Sequence, residues 1–362
     1  MKSATRNRAF RNVRMRRLLQ CGTALPLALL AMPAQAACTV EGDTTTCTGD
    51  ISGGIGTSTP NVVVTDLTTD AGAPAGFSAI WLPDVATAQI DTGDHALNVQ
   101  GAAAIAAVSG NPIDMDFTGT INVSGLDPAG NSGAGVIANA NGDGGWDASV
   151  RSTGDITVDV TRDANSSQNG NRGILANGGT AGTATIESTG NVSVTVSGMS
   201  TFAMGLQAAA GAGASITNTG DVSVIAAGGF GSAIGATSVA DTVVSSVGNV
   251  SADFGPGVGY GISAGGLRNT IQSQGDVTAD EGGIVAQGHL LYDDEGALLP
   301  YFAIAESSEI TSTGNVSTSG NGAPAILALG DEVTVNSTGA ITTTGMSAST
   351  SASGPCLSSP AG

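Results

Sequence analysis

A histidine followed by a short acidic run is the part of this 362-residue sequence whose side chains best suit catalysis or ligand contact. The five residues are His289, Tyr292, Asp293, Asp294 and Glu295. Glycoside hydrolysis needs two carboxyl groups, one of them kept protonated as the acid, so a carbohydrate-active enzyme is one function that this run supports. The same composition is typical of a solvated loop, and loops carry many binding residues. We therefore take the five residues as candidates for a contact loop and keep the enzyme as the alternative.

Oxygen-bearing side chains further upstream follow the spacing of a calcium loop only in part. The four candidate ligands are Asn139, Asn141, Asp143 and Asp147. An EF-hand loop ends on a bidentate glutamate at its twelfth position, where this sequence has Val150. The segment is therefore a weak Ca²⁺ candidate, and we predict neither a bound metal nor a cofactor. Trp146, in the same segment, is a further candidate for contact with a partner.

The charge of the chain is divided unevenly. Seven of the 11 Lys and Arg residues lie in the first 17 positions. Beyond residue 37 there are four arginines against 30 acidic residues, a formal charge of −26. Such a negative surface repels phosphate backbones, so we exclude nucleic acid as a partner. It also opposes self-association, so we expect a monomer.

The first 36 residues have the organisation of a secretory signal peptide. A basic stretch leads into the apolar run 24–32, and Ala34-Gln35-Ala36 supplies small residues at the expected cleavage site. The apolar run is too short to span the roughly 30 Å of bilayer hydrocarbon, and Pro26 interrupts it. We predict cleavage before Ala37 and export of the mature chain.

Export changes the interpretation of the four cysteines. Cys21 leaves with the signal peptide, whereas Cys38 and Cys47 lie close together near the mature N-terminus. Disulfides persist in oxidising compartments, so we predict a Cys38–Cys47 bond within an N-terminal cap at residues 37–60. Cys356 has no evident partner, and two histidines as distant as 95 and 289 do not suggest a zinc site.

The elements that position these side chains follow from a repeat. Its core is a small polar pair, a glycine, a polar residue and an aliphatic residue, as in Ser188-Thr189-Gly190-Asn191-Val192. The repeated glycines are Gly93, Gly119, Gly154, Gly190, Gly220, Gly248, Gly275, Gly314 and Gly339. Successive glycines are 25 to 39 residues apart. Acidic residues that recur once per repeat, such as Asp155 and Asp221, indicate turn chemistry rather than a catalytic cluster.

Each repeat contains three short runs of β-type sequence. Around Gly190 these are 173–176, 183–187 and 191–196, in which aliphatic residues alternate with Thr, Ser or Asn. The pattern predicts an all-β protein, a parallel β-helix of nine to ten coils over residues 61–345. A narrow interior filled by Val, Ile, Leu and Ala explains why the chain has only 12 aromatic residues. The Ser/Pro/Ala-rich segment 346–362 is predicted to be a disordered tail.

The sequence resembles the passenger region of bacterial autotransporters. The residues that carry the resemblance are Ala37–Val40, Cys47–Asp50 and the recurrent Gly-Ile-x-Ala followed by Ser-Thr-Gly-Asp/Asn-Val, over about 37–345. It implies a right-handed β-helix of the pectin-lyase-like type, exported from a Gram-negative cell and present at its surface or outside it. Residues 346–362 do not resemble the translocator barrel that ends such proteins. We therefore expect a truncated autotransporter, a separate outer-membrane translocator as a partner, or a periplasmic location.

These observations favour a non-enzymatic adhesin or surface-structure protein. Such a rod presents loops between its coils, chiefly at 126–147, 161–172 and 288–301. The expected partner is a molecule on a host or neighbouring cell, with glycans as one class. The alternative is a polysaccharide lyase or hydrolase that uses the acidic residues near 289–295.

Overall fold

The computed structural model describes residues 37–126, 133–140, 144–162, 170–198, 202–288, 290–292, 298–302, 304–345 and 351–353. The predicted signal peptide and most of the predicted tail, including Cys356, lie outside these ranges. All regular structure in the described residues is β-strand, as the sequence predicts. No helix in this part of the chain is long and apolar enough to cross a membrane.

The strands are short, and most have two to nine residues. In chain order they are β1 (Ala37–Glu41), β2 (Thr44–Gly49), β3 (Ile55–Gly56), β4 (Asn61–Leu67), β5 (Ala71–Gly72), β6 (Ile80–Pro83), β7 (Thr87–Gln100), β8 (Ala103–Ser109), β9 (Ile113–Leu126), β10 (Ala134–Ala140), β11 (Ala148–Thr153), β12 (Ile156–Arg162), β13 (Asn171–Asn177), β14 (Thr183–Thr189), β15 (Val192–Gly198), β16 (Phe202–Ala210), β17 (Gly213–Thr219), β18 (Val222–Ala226), β19 (Phe230–Ser238), β20 (Asp241–Val247), β21 (Val250–Asp253), β22 (Val258–Gly265), β23 (Arg268–Gln274), β24 (Val277–Ala279), β25 (Gly282–Gln287), β26 (Leu290–Tyr292), β27 (Leu298–Phe302), β28 (Ser307–Ser312), β29 (Val316–Thr318), β30 (Ile326–Leu329), β31 (Glu332–Ser337), β32 (Ile341–Thr343) and β33 (Ser351–Ser353).

From β4 onward, each coil contributes one strand, or part of one, to each of three faces, and the coils stack in parallel. Face 1 contains β3, β6, β8, β10, β13, β16, β19, β22, β25, β30 and β33. Face 2 contains β2, β4, the first parts of β7 and β9, β11, β14, β17, β20, β23, β28 and β31. Face 3 contains β5, the second parts of β7 and β9, β12, β15, β18, β21, β24, β29 and β32. This arrangement confirms the predicted β-helix with three strands per coil.

Equivalent residues of successive coils lie in register, so the interior is a set of aliphatic columns. Ile186 of β14 pairs with Val150 of β11 on one side and with Ile216 of β17 on the other. All three side chains are fully buried. Among the described residues, Phe117 and Phe254 have the largest fully buried side chains. Alternating polar residues on faces 2 and 3 point outward because successive side chains of a strand face opposite sides.

The corner between faces 2 and 3 is a column of glycines. Six of them, from Gly119 to Gly275, have φ between 120° and 141°. A Cβ on Gly220 would lie 2.2 Å from the carbonyl oxygen of Gly190 in the preceding coil. Only glycine satisfies both the backbone angle and this close approach. The repeated glycine is therefore required for the coils to stack at this corner.

Asp and Asn side chains beside these glycines link the coils. The carboxylate or amide oxygen of each accepts a hydrogen bond from the main-chain N–H of the equivalent residue in the next coil. The acceptors are Asp155, Asn191, Asp221, Asn249, Asp276 and Asn315, and the final donor is Ala340, with distances of 2.7 to 3.1 Å. This role agrees with the prediction of turn chemistry for the repeated acidic residues.

The ends of the β-helix differ from the predicted boundaries. Strand β1 pairs antiparallel with β2, and parallel pairing already begins between β2 and β4, inside the segment interpreted as a cap. At the other end, β33 pairs with β30, so face 1 extends into the segment predicted to be disordered. The last coil lacks the complete Thr-Gly-Asp/Asn corner, because Ala340 follows Gly339.

Candidate contact surface

The predicted disulfide is formed. Cys38 and Cys47 are opposite one another in the antiparallel pair of β1 and β2, and their sulfur atoms are bonded. Cys47 is buried in the first part of the core, whereas Cys38 and the rest of β1 are exposed. The bond therefore attaches an exposed strand to the first strand of face 2.

Trp146 lies at the corner between faces 1 and 2 and is half-buried against the core. Its carbonyl oxygen accepts a hydrogen bond of 2.7 Å from the N–H of Gly179 in the next coil. The sequence suggested an exposed contact residue, but the indole contributes to packing as well as to the surface.

The two described members of the weak calcium candidate are used in bonds between coils. Asn139 accepts a hydrogen bond of 2.8 Å from the side chain of Asn177. Asp147 accepts bonds of 2.7 and 2.8 Å from the N–H and hydroxyl of Thr183. Asn141 and Asp143 lie outside the described residues. Within the described ranges, no group of His, Cys, Asp or Glu is arranged to hold a metal ion.

Tyr292, the one described member of the predicted acidic contact loop, belongs to a separate hairpin between face 1 and face 2. Strands β26 and β27 pair antiparallel with one another, with Leu290 opposite Phe302 and Tyr292 opposite Leu298. They form a two-stranded sheet of their own in the connection between β25 and β28. His289, Asp293, Asp294 and Glu295 lie outside the described residues.

A groove of about 420 Å³ follows the corner between faces 1 and 2 over three coils. Its lining residues are Asn177, Gly178, Gly179, Thr180, Ala209, Ala210, Gly211, Thr237, Ser238 and Val239. The connections here are short, such as 211–212 and 239–240. In coil order, the longer connection 141–147 precedes the groove and the hairpin connection 288–306 follows it.

Arginine side chains in the described residues occupy two kinds of environment. Arg151 is paired with Asp114, at 3.0 Å, and with Asp116, and its pKa is raised by these carboxylates. Arg268 makes bonds of 2.7 and 2.9 Å to Asp241 of the preceding coil. Both arginines thus link neighbouring coils at the exposed side of face 2.

Arg172 has a different environment, at the corner between faces 3 and 1. Its Nε donates to Oε1 of Gln207 at 2.5 Å, and its Nη1 donates to the carbonyl oxygen of Gly170 at 2.9 Å. The guanidinium lies 4.9 Å from the ring centre of Phe202. Burial lowers the pKa of Arg172.

Apolar side chains continue this site along the axis of the β-helix. Phe202, Phe230 and Val258 are in register on three successive coils. The two rings are 5.1 Å apart and inclined at 76°. Phe230 is 56% exposed and Val258 is 38% exposed. We refer to Arg172, Phe202, Phe230 and Val258 as the Arg172 cluster.

The Arg172 cluster was not predicted from the sequence. Its members belong to four successive repeats, and they adjoin one another only because the coils are in register. The usable signal was a run of large apolar residues at the first position of three consecutive face 1 strands, Phe202, Phe230 and Val258.

Two aspartates in the first coils have perturbed acidity. The N–H of Ser52 and the hydroxyl of Thr69 hydrogen-bond to Asp50 and hold the pKa of its carboxyl below the usual value. The N–H of Ala96, followed by the side chains of His95 and Asn98, lowers the pKa of Asp70. A general acid needs the opposite shift, so these carboxyls suit structural bonds rather than acid catalysis.

Comparison with known proteins identifies no relative. No family model, no curated protein and no solved structure matches the chain.

Proposed function

We propose that the protein is an exported, non-enzymatic adhesin that presents loops on a rigid β-helix, as the passenger regions of autotransporters do. The observation that carries this proposal is the groove between faces 1 and 2. Its short connections leave a concave surface. The longer connection 141–147 belongs to the coil before the groove, and 288–306 belongs to the second coil after it, beyond the short connection 266–267. Concave surfaces flanked by loops are common binding sites.

Export is supported by the covalent structure at the N-terminus. The chain has a Cys38–Cys47 disulfide. Disulfides persist in oxidising compartments and are rare in the cytosol. We propose a location at the cell surface or outside a Gram-negative cell, with a separate translocator, or in the periplasm without one. The charge of −26 from four arginines and 30 acidic residues beyond position 37 supports a monomer that contacts other molecules through restricted sites.

Cell attachment by the mature chain, residues 37–362, tests the proposal. The variant replaces 288–306 by the two-residue connection found at 266–267. We expect it to keep the β-type circular dichroism spectrum and the urea midpoint of the parent and to lose most attachment to immobilised cell-surface molecules. A second variant shortens the connection 178–182 on the groove itself, and it should also reduce attachment.

Two results would replace this proposal. Unchanged attachment in both variants would indicate a spacer. Cleavage of acidic polysaccharides that is lost in Asp293→Asn and Asp294→Asn would establish the carbohydrate-active alternative.

A further inference from the structure

We propose that the Arg172 cluster recognises an acidic residue flanked by a hydrophobic residue on a partner polypeptide. This inference deepens the proposed function, and rests on it, because Arg172 is the last residue of the segment 161–172 that the sequence predicts as a contact loop, although the structure places it in β13. It names a partner chemistry and a site that the sequence did not single out.

The pairing of the guanidinium is the first argument. Three arginine side chains are described outside the masked segments, and Arg151 and Arg268 both bind aspartates. Arg172 instead contacts a neutral amide and a carbonyl oxygen, and no carboxylate of the described residues pairs with it. An arginine side chain has five N–H donors. The hydrogen bonds of Arg172 to the described residues use two of them, so three donors have no acceptor among these residues.

Burial makes this lack of a carboxylate costly. A charge that is partly removed from water loses solvation, and only a counter-charge with good geometry restores the lost free energy. The planar fork of arginine fits a carboxylate in a bidentate arrangement. A ligand carboxylate would thus satisfy Arg172 better than any contact that the described residues provide.

The neighbouring rings define the rest of the ligand. Phe230 and Val258 are exposed next to Phe202 on successive coils, which lie about 4.8 Å apart. Burying an exposed aromatic or aliphatic side chain against a partner is favourable because apolar surface is removed from water. The ligand should therefore carry a hydrophobic group within one or two residues of its carboxylate.

The arrangement of the rings favours a polypeptide over an acidic glycan. A sugar ring stacks on an open aromatic face, but the guanidinium of Arg172 already lies over Phe202. Phe230 is inclined at 76° to Phe202, so the two rings do not form a flat platform. Phenylalanine and valine also offer no hydrogen bonds to sugar hydroxyls. The two inclined rings fit the compact side chain of a Leu, Val or Phe better than the flat face of a sugar.

Peptide binding to the mature chain tests the proposal directly. The probes are fluorescent pentapeptides with blocked ends, in which one Glu is flanked by Leu, Phe or Val, and the same peptides with Gln in place of Glu. We expect at least one Glu peptide to bind at least tenfold more tightly than its Gln counterpart. Arg172→Gln should weaken this binding at least fivefold, and Arg172→Lys should weaken it less because the charge remains without the fork.

Two further variants separate recognition from folding. Phe230→Ser changes an exposed ring and should weaken binding at least fivefold with an unchanged urea midpoint. Arg268→Gln removes one exposed, paired arginine and should change binding less than twofold. Equal binding of Glu and Gln peptides, or full binding by Arg172→Gln, would overturn the proposal.

An oligogalacturonate probe covers the other class of ligand. If only this acidic glycan binds in an Arg172-dependent way, the partner is not a polypeptide and the proposal is wrong. If no peptide binds while cell attachment is intact, the proposed recognition by the Arg172 cluster is wrong and the proposed adhesin function is unaffected. Loss of cell attachment on shortening 288–306 reports on the proposed function by a different readout.

Discussion

The amide oxygen of Asn191 accepts a hydrogen bond of 3.0 Å from the main-chain N–H of Asp221 in the next coil. Asp221 in turn accepts one of 2.7 Å from the N–H of Asn249. The acceptors of this ladder alternate between Asp and Asn from Asp155 to Asn315. Alternation keeps carboxylates two coils apart, about 9.6 Å at the usual spacing of strands. Every coil thus gains an acceptor without placing like charges in adjacent positions.

The first prediction concerns this alternation. Asn191→Asp places a third carboxylate between Asp155 and Asp221, so repulsion should lower the free energy of unfolding by roughly 0.5–1 kcal/mol at low salt. Because salt screens exposed charges, the loss should shrink at 1 M NaCl. Urea unfolding at both salt concentrations measures the effect. The control Asn191→Ala removes the acceptor and should cost about 1 kcal/mol at either concentration. A salt-independent loss in Asn191→Asp would contradict the explanation.

The second prediction concerns the glycine column. In Gly220→Ala, the new Cβ would stand on a residue with a φ of 135° and would lie 2.2 Å from the carbonyl oxygen of Gly190. We therefore expect a loss of about 2–4 kcal/mol in the free energy of unfolding. The control is Gly213→Ala in the same coil, where the nearest heavy atom would be 3.6 Å from the new Cβ. Chemical denaturation of both variants tests the difference, and equal stabilities would show that the coils adjust freely at this corner.

The third prediction concerns the disulfide. Cys38→Ala combined with Cys47→Ala frees β1, which has no buried residues of its own. In the chain-entropy model a loop of this length stabilises the protein by roughly 2–3 kcal/mol. Hydrogen exchange should show rapid exchange in β1 and β2 and unchanged protection in β14, because the coils are stabilised mainly by their neighbours. Loss of protection throughout the chain would mean that the N-terminal pair is needed to maintain every coil.

The fourth prediction concerns acid. Hydrogen bonds hold the pKa values of Asp50 and Asp70 below the usual 3.8, so both groups stabilise the fold above that pH. This contribution is lost as the pH falls through the lowered values. Protonation of the other carboxyls relieves repulsion and acts in the opposite direction, so the measurement must compare variants.

We therefore expect Asp50→Asn with Asp70→Asn to lose less stability than the parent between pH 6 and pH 3 in urea unfolding. The control pair is Asp43→Asn with Asp84→Asn, which removes the same charge from the first coils without breaking a side-chain bond seen in the described residues. If the control pair shows the same reduced dependence of stability on pH, the effect comes from the total charge and not from the hydrogen bonds of Asp50 and Asp70.

Local rules were sufficient for the repeating part of the fold. Gly190 with Asn191 marked a corner, and 183–187 showed the two-residue period of a half-buried strand. Both are short-range properties, since backbone angles and strand alternation depend on a few neighbouring residues. The disulfide was also predicted, because its partners are only nine residues apart.

The sequence determined the type of coil, its corners and the residues that fill the interior. Tertiary structure alone decided which side chains meet across coils. Arg172 and Phe202 are 30 residues apart in sequence, and the groove combines three repeats of unequal length. Register between coils is set by the summed pairing of all strands, not by any one segment. Because the connections vary in length, the spacing of residues in the sequence does not show which of them are in register. For that physical reason the scaffold was predictable, whereas the Arg172 cluster and the groove were not.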